Sequence, residues 1–174
     1  MTATDNQETM GIDPYEKNWI RFAVTLLVVF MAAVTVAGFA LGYQVPNKEA
    51  RVDPTEIVNE GPFATPGVRQ IGDNQFEAYI VARQFVFDPN TITLPAGATI
   101  DIYVTSPDLQ HGFKITDTNV NMQIVPGQVS KLTYTFDQVG EYPVICHEYC
   151  GLGHAAMAGT VLVVAPGEFE GGSE

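Results

Sequence analysis

Between Phe22 and Tyr43 the chain runs for 22 residues without a charge, FAVTLLVVFMAAVTVAGFALGY. As a helix rising about 1.5 Å per residue, such a run crosses the roughly 30 Å hydrocarbon layer of a bilayer. Trp19 and Tyr43 bracket it, where aromatic rings favour the membrane interface. A cleaved signal peptide is the competing reading, and Ala37 and Ala40 loosely resemble a cleavage site. The apolar run is too long for a signal core, however, and the segment ahead of it is long and partly acidic. The expectation is a retained single transmembrane helix over 19–43, behind an N-terminal arm of residues 1–18. Lys17 and Arg21 precede the run and Lys48 and Arg51 follow it, so basic residues leave its orientation open.

Past the helix, residues 44–74 are rich in proline, glycine and charge, a composition that reads as a linker. From Gln75 the pattern changes to short β-like runs: FEAYIVARQFVF, TITLPAG, ATIDIYVTS, GFKIT, NMQIVPG, VSKLTYTF, GEYPVIC and GTVLVV. Apolar and polar residues alternate in several of them, and their regular spacing predicts an antiparallel β-sandwich over residues 75–165. Residues 166–174, PGEFEGGSE, read as a disordered tail. Twenty acidic residues against eight basic ones give a net charge of −12. That balance argues against a nucleic-acid partner, which needs a basic surface, and suits a basic protein partner. A merely solvated or salt-adapted surface accounts for it equally well.

The chemistry is concentrated in VICHEYCGLGHAAMAG, which holds both cysteines, two of three histidines and a methionine. Three readings compete for this segment. A disulfide is geometrically possible, yet it leaves the histidine and methionine without a role. A buried helix would align residues 146, 150, 154 and 157, but Gly151, Gly153 and the β-like approach disfavour it. A compact turn converges Cys146, Cys150, His154 and Met157 on a metal. His111, at the end of a β-run in SPDLQHGFKI, supplies the missing second histidine and decides for metal. Cysteine, histidine and methionine form a soft set that suits copper better than zinc, which has little use for a thioether. Two thiolates can bridge two copper ions, each with one histidine and one weak axial ligand. Met157 sulfur serves one ion and the Glu148 carbonyl serves the other.

In these residues the chain resembles subunit II of haem–copper terminal oxidases, which carries the binuclear CuA centre. The motif is a distant histidine followed by C-x-E-x-C-x3-H-x2-M, read here as His111, Cys146, Glu148, Cys150, His154 and Met157. YEKNW, RVDP, EGP and SPDLQHGF extend the similarity over residues 15 to 165. A single helix in place of a two-helix hairpin is similar to the ba-type branch. The resemblance implies a cupredoxin-like Greek-key sandwich on the outer side of the plasma membrane, with the N-terminus cytoplasmic. It implies an electron port: a cytochrome c or small blue-copper protein reduces the centre, and a haem in subunit I receives the electron through His154. It further implies Phe85 or Phe87 in ARQFVF as the electron-accepting patch, with one of the two expected in the core. Glu16 matches a glutamate near a proton path of subunit I, against simple solvation. The Glu148 carboxylate matches a magnesium ligand of the two-helix branch, against a role limited to its carbonyl. The rivals are an anchored copper chaperone or sensor, a CuA module of another reductase such as nitrous oxide reductase, and a disulfide-bonded structural domain.

Overall fold

The structure, a computed structural model, describes residues 13–169. Most of the expected N-terminal arm and the end of the expected tail lie outside these residues. The chain divides into two compact units, Met1–Tyr43 and Gln44–Glu174.

The described part of the first unit holds one helix, α1 (Pro14–Ala40), starting five residues ahead of the expected span. Asp13 caps it, its carboxylate accepting from the Tyr15 N–H at 2.8 Å, and Pro14 occupies the first turn, where its missing N–H costs nothing. Glu16 also lies in that turn, exposed, where a negative charge complements the helix dipole. At the other end the Leu41 N–H returns to the Ala37 carbonyl and the Tyr43 N–H to that of Gly38. Among the described residues α1 alone is long and apolar enough to cross a membrane.

The second unit is a Greek-key sandwich of two sheets. Its strands are β1 (Asn47–Arg51), β2 (Gly67–Gly72), β3 (Gln75–Arg83), β4 (Val86–Asp88), β5 (Thr91–Pro95), β6 (Ala98–Thr105), β7 (His111–Ile115), β8 (Asn121–Ile124), β9 (Gln128–Phe136), β10 (Gly140–Ile145) and β11 (Ala158–Val164). One sheet has the order β1-β9-β6-β3-β2, with β4 also on β3; the other has β5-β11-β10-β7-β8. The sheets are not wholly antiparallel as the alternation suggested: β3 runs parallel to β6, and β5 parallel to β11. Side-chain alternation reports which face is buried and carries no information on strand direction.

The two-residue period places Phe76, Ala78, Ile80, Ile100, Ile102, Phe113, Ile115, Met122, Leu132, Val144 and Val161 in one core between the sheets. Residues 44–74 are not a free linker. Strand β1 pairs with β9 and β2 with β3, so two sheet edges that would otherwise expose backbone groups are covered. Between them Ile57 and Phe63 pack on Val81 and Val129, the outward-facing residues of β3 and β9. Phe63 meets Tyr79 edge-on at 5.3 Å, and Tyr79 stacks on Tyr103 at 4.9 Å. The start of the expected tail is likewise engaged, with Phe169 edge-on to Phe76 at 5.5 Å.

Because Phe63 is 4% exposed, Phe63→Ala is expected to cost about 3 kcal/mol of the domain's stability. Chemical denaturation of the full chain in detergent reads the shift, whereas a residue in a free tether would produce none.

Candidate metal centre

His111, Phe113 and Ile115 share the inner face of β7, and Cys146 continues the inner face of β10 beyond Val144. The ligand candidates therefore extend the hydrophobic core at one end of the sandwich. The loop Cys146–Met157 joins β10 to β11, and the Cys146 N–H donates to the Met157 carbonyl at 3.3 Å, closing its base. Within it the His154 N–H bonds the Gly151 carbonyl and the Ala156 N–H that of Gly153, forming a single 3-10 turn, His154–Ala156.

This folding brings the donors together. Cys150 Sγ lies 3.8 Å from Cys146 Sγ, 3.7 Å from His154 Nδ1 and 3.8 Å from Met157 Sδ. His111, Cys146 and Cys150 place one ligand atom each within 4.8 Å of one another, and all three side chains are buried. The Glu148 carbonyl is 3.3 Å from Cys146 Sγ, while its carboxylate is exposed and 3.7 Å from His147 Nδ1. His147, the third histidine, stands outside the cluster with its ring against Gly112. Both cysteines are free thiols.

Two features fit this pocket to a metal ion. His111 Nε2 is 2.8 Å from Asp108 Oδ1, a contact that places the ring proton on Nε2 and leaves the Nδ1 lone pair available. That Nδ1 is buried and has no hydrogen-bond partner. A buried acceptor without a partner is costly, and ligation is the chemistry that satisfies it here. Burial, followed by the neighbouring Cys146 thiol, pushes Cys150 up to about 11. At neutral pH the metal-free site therefore holds a protonated thiol there, and metal binding must expel that proton. For Asp108, burial acts to raise the carboxyl, but bonds from His111, the Gln84 and Leu109 N–H groups and Ser106 outweigh it and hold it below the usual range.

Phe85 and Phe87 separate. Phe87 is 1% exposed and meets Phe113 edge-on at 5.3 Å, so strand alternation assigns it to the core and removes it from any docking surface. Phe85 is partly exposed and lies over the ligand loop, close to Gly151 and Gly153. Asp108 lies in SPDLQHGF, and its signal is an acidic residue three ahead of a histidine in a turn. Gln84, which donates to the Cys150 carbonyl at 2.8 Å, has no local signal.

Comparison with known proteins agrees with this geometry. Residues 68–164 match the family model described as cytochrome c oxidase subunit II, periplasmic domain. The chain belongs to that family. A cytochrome c oxidase subunit 2 of Thermus thermophilus is 46% identical over 153 residues, covering 86% of this chain and 91% of the relative. A heme-copper oxidase subunit 2 of Aeropyrum pernix is 36% identical over 97 residues, covering 55% of this chain and 41% of that relative. Among solved structures, a chain of a heme-copper terminal oxidase dimer determined by cryo-EM superposes with a TM-score of 0.72 at 34% identity. It matches over 86% of this chain and 99% of that one. The chain is thus a subunit II of a haem–copper oxidase, with a cupredoxin-like domain and a membrane location that suits α1. The family and the donor cluster together support copper binding.

A Cβ at Gly153 would fall 2.5 Å from Phe85 Cδ2. Gly153→Ala is accordingly expected to lose about 1–3 kcal/mol through overpacking. Adding Phe85→Ala should recover most of that loss in a double-mutant cycle read by denaturation.

Proposed function

We propose that this chain is the electron-accepting subunit of its oxidase and holds a binuclear CuA centre. The observation that carries the reading is the pair of free, buried thiols 3.8 Å apart, Cys150 beside His154 and both within 4.8 Å of the His111 donor. Cys146 and Cys150 would bridge, His111 and His154 would take one ion each, and Met157 sulfur and the Glu148 carbonyl would be the weak ligands. When bound, the copper pair supplies reversible one-electron storage. The protein's part is to hold these donors still: four of the side chains are more than nine-tenths buried, and the loop base is tied into the β10–β11 ladder. Such a closed set favours a resident cofactor over a chaperone's exchangeable cargo.

Phe85 is the proposed contact for the electron donor, since it is partly exposed and touches the backbone of the ligand loop. Leu152, strongly exposed between the two glycines that Phe85 covers, extends that apolar surface. A small cytochrome c or blue-copper protein with a basic surface suits the net charge of −12. His154, half-buried and edge-on to Tyr149 at 5.8 Å, is the proposed exit toward a haem in subunit I. The family description, a periplasmic domain, supports a copper domain outside the plasma membrane and an N-terminus in the cytoplasm. Two assignments rest on the resemblance alone: Glu16 near a proton path of subunit I, and the Glu148 carboxylate as a magnesium ligand at the subunit contact.

Copper titration of the full chain in detergent should saturate at two ions, turn purple and give a paramagnetic spectrum with one electron shared by two nuclei. One ion per chain, or rapid loss to a chelator, would overturn the binuclear reading. Phe85→Ala should leave that spectrum intact and weaken donor docking on the order of tenfold, as truncation of a central interface aromatic does. Stopped-flow reduction by the donor measures it.

A further inference from the structure

Gln84 sits in the short turn between β3 and β4, and it bonds to both of the other segments that carry ligand candidates. Its backbone N–H donates to Asp108 Oδ2 at 2.8 Å, and Oδ1 of the same carboxylate is 2.8 Å from His111 Nε2. Its side-chain amide donates to the Cys150 carbonyl, also at 2.8 Å. We infer that Gln84 is a positioning residue of the copper site, fixing the Cys150 peptide relative to His111. The inference rests on the copper reading above.

The physical argument starts from Cys150, whose sulfur has three other donor atoms within 3.8 Å. Small rotations of its backbone therefore change three separations at once. The next residue, Gly151, has φ +128°, a conformation open to glycine and disfavoured for L side chains. The peptide between them thus gains freedom at the point where the site tolerates least movement. The Gln84 amide removes that freedom by binding the carbonyl of this peptide, and it packs closely, since a Cβ at Gly151 would lie 2.9 Å from Gln84 Nε2. Because the Gln84 side chain hydrogen-bonds the Cys150 carbonyl rather than a sulfur or ring nitrogen of the cluster, its effect passes through Cys150. A bracket on an outer-shell carboxylate and a ligand's own backbone is the kind of support that holds a ligand set in register.

The test uses the full chain in detergent with Gln84→Met, which keeps length and the backbone bond to Asp108 but removes the donor. Gln84→Glu, which sets a carboxylate oxygen against the carbonyl, is the second variant. Ser130→Ala removes a side-chain bond to the Gln123 carbonyl elsewhere in the sandwich and serves as the structural control. Release of copper to a chelator should be roughly 10- to 100-fold faster in both Gln84 variants than in the unmodified chain. The copper hyperfine pattern and the reduction potential should also move, while the metal-free melting temperature shifts no more than in Ser130→Ala. Unchanged release and hyperfine pattern would overturn the inference, as would a release rate matched by Ser130→Ala. Failure of the unmodified chain to bind a copper pair would instead overturn the copper reading, before any Gln84 variant is compared.

Discussion

The β10–β11 ladder is the constraint from which the site follows. Ile145 pairs with Ala158, and the Cys146 N–H reaches the Met157 carbonyl one step beyond that pair. Everything from Cys146 to Met157 must therefore leave and re-enter at adjacent strands, which forces a compact loop. A compact loop places residues three or four apart within reach, and 146, 150, 154 and 157 are spaced accordingly. The same ladder sits between β5 and β7, so His111 at the start of β7 is delivered to the loop by sheet geometry. Core packing below, through Phe113, Val144 and Val161, makes this end of the sandwich a fixed frame.

That frame explains how a set of buried donors is accommodated at the end of the core. Cysteine and methionine side chains pack as small, polarizable hydrophobic groups, so Cys146, Cys150 and Met157 join the core at modest cost. Pushing the Cys150 thiol up by burial is the electrostatic side of the same fact. His111 is the exception: its ring must be oriented by a polar partner, and Asp108 provides one at 2.8 Å. Donation from the Gln84 N–H, the Ser106 hydroxyl and the Leu109 N–H in turn holds the Asp108 carboxyl below its usual range.

Much of this was legible in the sequence, for identifiable reasons. The uncharged run marks a helix because length and apolarity are local properties, and the strands from Gln75 onward show because one face of each is buried. The donor set shows because cysteine and histidine are rare here and their spacing is specific. What was hidden depends on pairing between distant residues. Strands β1 and β2 are short edge strands, and β2 has no fully buried residue, so their composition matches a linker even though their backbones complete the sheets. Phe85 and Phe87 looked alike until the register of β4 turned one inward. The parallel pairs β3–β6 and β5–β11 were hidden because alternation is the same in either direction.

Gln84 and Asp108 illustrate the limit most sharply. Each is a common polar residue in a turn, and neither the helical nor the strand period distinguishes them. Their importance arises because three turns, well separated in sequence, meet at one end of the sandwich. Polar side chains there have backbone groups to satisfy across segment boundaries, and a carbonyl next to a left-handed glycine is among the least constrained of these. A ligand motif names the atoms that bind a metal; the bonds that hold those atoms in place are set by the meeting of the loops. In this fold the supporting shell is therefore set by which loops the topology brings together.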